Sequence, residues 1–219
     1  MALDGRVLLG RLSESSEILG DFPGEVRPRN LSHLDRSMAV DLSPGGDTLL
    51  LSEIGQSSRS VYLRQTDGSP PKRIGEGLAR ALSADGKFVI AVSDPPNPQI
   101  FVIPTGPGQP RQIETPGVHP GGRMGFFPDG RRIWFLAQEH SGDRRAWVQD
   151  LAGGKPRAIT PPSVGGVLLS GDGRFLSGRA ADGDWHLYST ETTETHKIVG
   201  LLPGEEPVQW TADGKFIYV

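Results

Sequence analysis

The chain has 219 residues, of which 30 are Gly and 19 are Pro, so about 22% of it goes to the two residues that interrupt regular backbone, and a mainly helical fold is excluded. Its 23 Lys and Arg against 26 Asp and Glu leave a net charge of -3, without the basic footprint of a nucleic-acid or anionic-membrane binder, and no stretch approaches the roughly 20 apolar residues that cross a bilayer. The absence of cysteine removes disulfides, thiolate catalysis and thiolate metal ligands.

A short motif recurs along the chain. It begins as Leu3-Asp4-Gly5-Arg6 and returns as Ser43-Pro44-Gly45-Gly46-Asp47, with Gly in the Asp slot, and then as Ser83-Ala84-Asp85-Gly86-Lys87-Phe88. Later copies are Phe127-Pro128-Asp129-Gly130-Arg131-Arg132, Ser170-Gly171-Asp172-Gly173-Arg174-Phe175 and Thr211-Ala212-Asp213-Gly214-Lys215-Phe216. The slot positions 4, 45, 85, 129, 172 and 213 lie 41, 40, 44, 43 and 41 residues apart. An Asp-Gly step suits a tight hairpin turn, because Gly accepts positive φ and Asp accepts hydrogen bonds from nearby backbone N–H groups.

Each anchor precedes a run rich in β-formers: Thr48 to Ser52, Phe88 to Ser93, Ile133 to Ala137, Phe175 to Gly178 and Phe216 to Val219. A second run with an aromatic follows in Val61-Tyr62-Leu63, Ile100-Phe101-Val102, Ala146-Trp147-Val148 and His186-Leu187-Tyr188. A third closes the unit in Lys72 to Ile74, Arg111 to Ile113, Arg157 to Thr160 and His196 to Ile198, and the residues just before each anchor supply a fourth. Four short antiparallel strands in about 42 residues are a β-propeller blade.

The expected fold is therefore all-β, a single propeller domain over 1–219 of four-stranded antiparallel blades. About five blades are present, in units 1–36, 37–78, 79–122, 123–164, 165–206 and a partial 207–219. The first unit lacks an inner strand and the last holds two strands, which reads as a fragment of a six- or seven-bladed ring. An open ring would expose sheet edges and favour dimers.

The unit Phe127-Pro128-Asp129-Gly130-Arg131-Arg132-Ile133-Trp134-Phe135, Trp147-Val148-Gln149-Asp150-Leu151, Gly153-Gly154-Lys155-Pro156-Arg157-Ala158-Ile159-Thr160 resembles the TolB-type WD40-like (PD40) repeat. The run Tyr62 to Ser69 with Gly75-Glu76-Gly77, the Pro104-Thr105-Gly106 turn and Gly204-Glu205-Glu206-Pro207 before Trp210 are similar to the propeller module carried C-terminally by some bacterial serine/threonine protein kinases. That resemblance implies sensing or protein binding, an extracytoplasmic or periplasmic location, and phosphoryl transfer by a separate domain.

Catalytic motifs are missing. No G-x-S-x-G elbow, H-E-x-x-H or Walker sequence occurs, since Gly86-Lys87 runs into Phe88 and Gly154-Lys155 into Pro156. The histidines His33, His119, His140, His186 and His196 are spread over four units, the last two sharing 165–206, without metal-ligand spacing. Asp182-Gly183-Asp184 lacks the rest of a calcium loop, so no cofactor or metal is expected. Asp85, Gly86, Asp129, Gly130, Asp172, Gly173, Asp213 and Gly214 are assigned as structural turns. Candidate binding residues are those on or just before inner strands, at the channel mouth: Arg123, His119 and Trp210. Arg123 is the first choice to hold a carboxylate or peptide carbonyl, because its fork donates two bonds at once.

The sequence thus reads as a non-catalytic propeller that binds a protein or peptide, a sensory or scaffold module of a larger bacterial signalling protein. The alternative is the substrate-gating propeller of a prolyl-oligopeptidase-like serine hydrolase whose catalytic domain lies outside this chain. A catalytic propeller ranks last, because Leu42, Leu82, Phe126, Leu168 and Gln209 stand on the inner strands where acids and histidines would be needed.

Overall fold

The structure is a computed structural model that describes residues 15–219 except 57, 140, 141, 203 and 212. The first anchor and His140 lie outside the described residues. Four antiparallel four-stranded sheets follow one another along the chain. The first contains β3 (Ser37–Leu42), β4 (Thr48–Ile54), β5 (Arg59–Gln65) and β6 (Lys72–Glu76). The second contains β7 (Leu78–Leu82), β8 (Phe88–Val92), β9 (Ile100–Pro104) and β10 (Arg111–Ile113). The third contains β11 (His119–Phe126), β12 (Arg132–Gln138), β13 (Arg144–Asp150) and β14 (Arg157–Ala158). The fourth contains β15 (Gly165–Leu169), β16 (Phe175–Arg179), β17 (Trp185–Ser189) and β18 (Thr195–Lys197). Two-stranded sheets stand at either end of this series, β1 (Leu19–Gly20) with β2 (Arg29–Asn30) and β19 (Gln209–Trp210) with β20 (Ile217–Tyr218). Strand β11 starts at His119, ahead of the expected unit boundary at 123, because an irregularity between Pro120 and Met124 absorbs the extra residues without ending the pairing.

The anchor turns explain the regular spacing. In the second sheet the Gly86 N–H donates to the Ser83 carbonyl at 2.8 Å while the Ser83 hydroxyl donates to Asp85 Oδ1 at 2.7 Å and accepts from the Phe88 N–H at 2.9 Å. Gly86 takes φ +69°, a region an L side chain rarely occupies. Ser170 with Asp172 and Thr211 with Asp213 repeat the arrangement at 2.6 Å each. Gly171 occupies the slot of Ala84, and the Gly173 N–H reaches the Ser170 carbonyl at 2.9 Å. In the first complete sheet the carboxylate has moved rather than vanished: Ser43 donates to Asp47 Oδ1 at 2.5 Å, so Gly45 leaves no gap. Phe127 has no hydroxyl. There Asp129 accepts the N–H groups of Arg131 and Arg132 and the Arg132 Nε at 2.7 Å, and the Arg132 guanidinium stacks 4.4 Å from the Phe127 ring.

A second latch repeats with the turns. The hydroxyls of Thr66, Thr105 and Thr190 donate to the carbonyls of Gly46, Gly86 and Gly173 at 2.8, 2.8 and 2.7 Å. Each ties the end of a third strand to the turn between the first two. In the third sheet Leu151 stands in that position, and its backbone N–H alone reaches the Arg131 carbonyl at 2.8 Å.

These turns titrate. The hydroxyls of Ser83 and Thr211 hold the carboxyls of Asp85 and Asp213 below the usual carboxylate value, helped by the Lys87 and Lys215 N–H groups. Burial pulls Asp172 up, but the Ser170 hydroxyl and Arg174 N–H outweigh it and the net direction is down. A carboxyl whose folded pKa is depressed contributes stability above its unfolded value, near 3.9, and loses it as pH falls through the folded value. The melting temperature is expected to fall steeply below about pH 4, and the D85N/D172N/D213N variant to show a shallower acid limb by circular dichroism.

The core lies between sheets, not within them. Along β12, Ile133, Phe135 and Ala137 pack on the Ile90, Ile100 and Ile113 side chains of the second sheet. The alternate residues Trp134 and Leu136 pack on Val167, Leu176 and Tyr188 of the fourth. A strand presents successive side chains to opposite faces, so a strand buried on both sides is apolar throughout. Leu50 and Val61 meet Val89, Ala91 and Ile103 in the same way, and Leu49 and Leu51 meet Ile18 and Leu31.

Candidate functional site: the central channel

The first strands of the sheets, β3, β7, β11, β15 and β19, all contribute to the wall of one cavity of about 1090 Å³. The anchor turns force this, because each returns the chain outward and leaves the strand before it innermost. Leu42, Leu82, Phe126, Leu168 and Gln209 are all on this wall, as the repeat register requires. The titratable groups among the described lining residues are Asp41, Arg80 and Arg123.

Burial pushes the Asp41 carboxyl up from its ordinary value, and the Leu82 and Leu42 N–H groups oppose that. Its Oδ2 accepts the Leu82 N–H at 2.8 Å, so Asp41 ties β3 to the neighbouring inner strand. Arg80 is half-buried, and burial followed by the nearby Arg59 guanidinium draws its pKa down. Its Nε is buried without a hydrogen-bond partner.

Of the three residues expected at the channel mouth, the structure puts Arg123 on the cavity wall. His119 lies at the start of the same strand, exposed, opposite Gln138. Trp210 lies in β19 opposite Ile217, half-buried, with its indole Nε1 unpartnered and outside the lining. The three do not converge. Asp41 and Arg80 escaped the sequence reading, although both precede an anchor by two or three residues. The aromatics Trp134, Trp147, Trp185 and Tyr188 are buried in packing, with Trp147 Nε1 donating to the Ala137 carbonyl at 3.3 Å.

Asp182, Asp184 and His186 bring ligand-type atoms within 4.8 Å of one another on the hairpin between β16 and β17. Asp182 Oδ1 accepts the Asp184 N–H at 3.0 Å, and the Lys197 ammonium sits 2.5 Å from Asp184 Oδ2. Lys197 holds the Asp184 carboxyl down, so a cation of the protein's own already balances this turn. Among the described residues, no helix is long and apolar enough to cross a membrane.

The chain overlays a TolB candidate from Agrobacterium tumefaciens with a TM-score of 0.72 over 94% of this chain and 83% of that one, at 18% identity. The fold is that of a TolB-type β-propeller. TolB from Acinetobacter baumannii matches with a TM-score of 0.66 at 17% identity, over 87% of this chain and 50% of that one. A puromycin-hydrolyzing peptidase of Mycobacterium tuberculosis matches at 0.60 and 19% identity, over 81% of this chain and 32% of that one. This propeller thus spans half of the second protein and about a third of the peptidase. No protein-family model and no curated protein matches the sequence.

Proposed function

We propose that this chain is a non-catalytic propeller that binds a protein or peptide segment at its central channel, as a sensory or scaffold module of a larger bacterial signalling protein. The observation that carries this reading is the channel wall. It joins an apolar surface of Phe126, Leu168 and Met38 to three charged groups, with no histidine or second carboxylate beside Asp41 among its described residues. General acid and base work needs paired titratable groups within hydrogen-bond reach, whereas recognition needs an apolar floor with a few placed polar groups. Rigid sheets with variable loops suit that task.

The likeness to a peptidase supports a second reading, a propeller that gates a serine hydrolase domain. Sequencing the gene on both sides of this segment separates the two. An H-R-D and D-F-G kinase domain upstream supports the signalling module. A G-x-S-x-G elbow downstream supports the gate and overturns the first reading. Selection of dodecapeptides from a phage-displayed library against the chain is expected to return binders, and a library that yields none overturns peptide recognition.

A further inference from the structure

We propose that the channel mouth recognises acidic peptide segments, with Arg80, Arg123 and Arg144 receiving their carboxylates; this rests on the peptide-binding reading above. Four of the five inner strands, β3, β7, β11 and β15, break register and regain it two or three residues before the anchor: between Ala39 and Asp41, between Ala79 and Ala81, between Pro120 and Met124, and between Gly165 and Leu168. A bulge leaves residues without a cross-strand partner and re-aims their side chains. Two of these breaks, on the adjacent and contacting strands β7 and β11, carry arginine, Arg80 and Arg123, and both line the cavity. Arg144, at the start of β13, lies over the second break. A Cβ built on Gly122 would come 3.5 Å from its Nη1 and one on Gly121 3.8 Å from its Nη2, ordinary contact distances that place that guanidinium against the strand carrying Arg123.

None of the three guanidiniums has a hydrogen bond or ion pair with a described residue. Other arginines near the same ends of the strands do: Arg59 with Asp94 at 3.4 Å, Arg145 with Glu139 at 2.6 Å and Arg179 with Glu206 at 3.6 Å. Arg123 and Arg144 are exposed, whereas Arg80 is half-buried, where a guanidinium without an anion is costly, and its charged neighbour is Arg59. The planar fork matches a carboxylate through two parallel bonds. The net charge of -3 and the acids Asp94 and Glu139 near these arginines leave no continuous basic track for a nucleic-acid backbone. The apolar wall below, with Phe126 and Leu168, suits peptide side chains.

The test uses the dodecapeptides selected above, made with a fluorescent label and measured by anisotropy. Selected sequences are expected to be enriched in Asp and Glu. Glu→Gln versions of the peptides, and the variants R80Q and R123Q, are expected to bind about tenfold or more weakly. Without peptide, R80M is expected to melt above the parent protein, because it removes an unpaired charge that serves only the ligand. Binders without acidic enrichment, or affinities unchanged by both R80Q and R123Q, would overturn the acidic specificity while leaving peptide recognition intact. Displacement of the peptide by a single-stranded oligonucleotide, or an R80M protein that melts below the parent, would also overturn it. A library that yields no binder removes the peptide-binding reading itself, a result distinct from these.

Discussion

Phe135→Ala is expected to cost about 3–5 kcal/mol, enough to remove most of the stability of a domain of this size. Phe135 is fully buried at the centre of β12 and packs in the cluster shared by the second and third sheets, against Ile90, Ile100 and Trp147. Its removal leaves a void at an interface that holds two blades together, and neither sheet can close over it because both are paired across their width. Urea unfolding should show the midpoint shift with little change in slope. A loss below about 1 kcal/mol would mean that the blades do not share one core. Leu176→Ala, in the next cluster, should behave similarly, and the two should add because they lie in separate clusters.

The second large effect is Gly77→Ala. Gly77 links β6 to β7 at φ +93°, and its N–H donates to the Arg59 carbonyl at 2.9 Å. A Cβ there would sit 2.4 Å from the Val92 carbonyl oxygen and 3.0 Å from its carbon, both backbone atoms that cannot turn aside. The dihedral alone costs about 1–2 kcal/mol. The clash adds to it, for a total of about 3 kcal/mol or more. Gly86→Ala provides the control: at φ +69° nothing lies within 4 Å of its Cβ, so only the dihedral cost is expected. Thermal melts of the two variants should therefore differ about twofold or more in their shifts. Equal shifts would mean that the crossing from one blade to the next is loose at Gly77. Arg80 sits three residues further on, so the same crossing sets where the proposed ligand group enters the channel.

Much of the blade was legible because its determinants are local. The Asp-Gly turns depend on side chains and N–H groups within five residues, as with Ser83, Asp85 and Phe88. The same local chemistry shows why Gly45 misled, since Asp47 reaches the Ser43 hydroxyl from the other side of the turn. The Thr66, Thr105 and Thr190 latches were not read, because each joins residues 17 to 20 positions apart through a carbonyl that carries no sequence signal. Arg123 was found from its place before an anchor. Arg80 was not singled out because no sequence signal marks the register break between Ala79 and Ala81 that sets it on the channel wall.

What the sequence determined by itself is the repeat: the spacing of six anchors, the all-β class, the inner position of the strand before each turn and the absence of known catalytic motifs. These follow from turn chemistry and from a side-chain period of two, both short-range. The tertiary structure alone decided which residues share the channel and which charges there lack partners. Those depend on how five strands, each about 40 residues from the next, approach one another. Arg80 became a candidate only once burial had removed water from its guanidinium and no acid among the described residues came within reach.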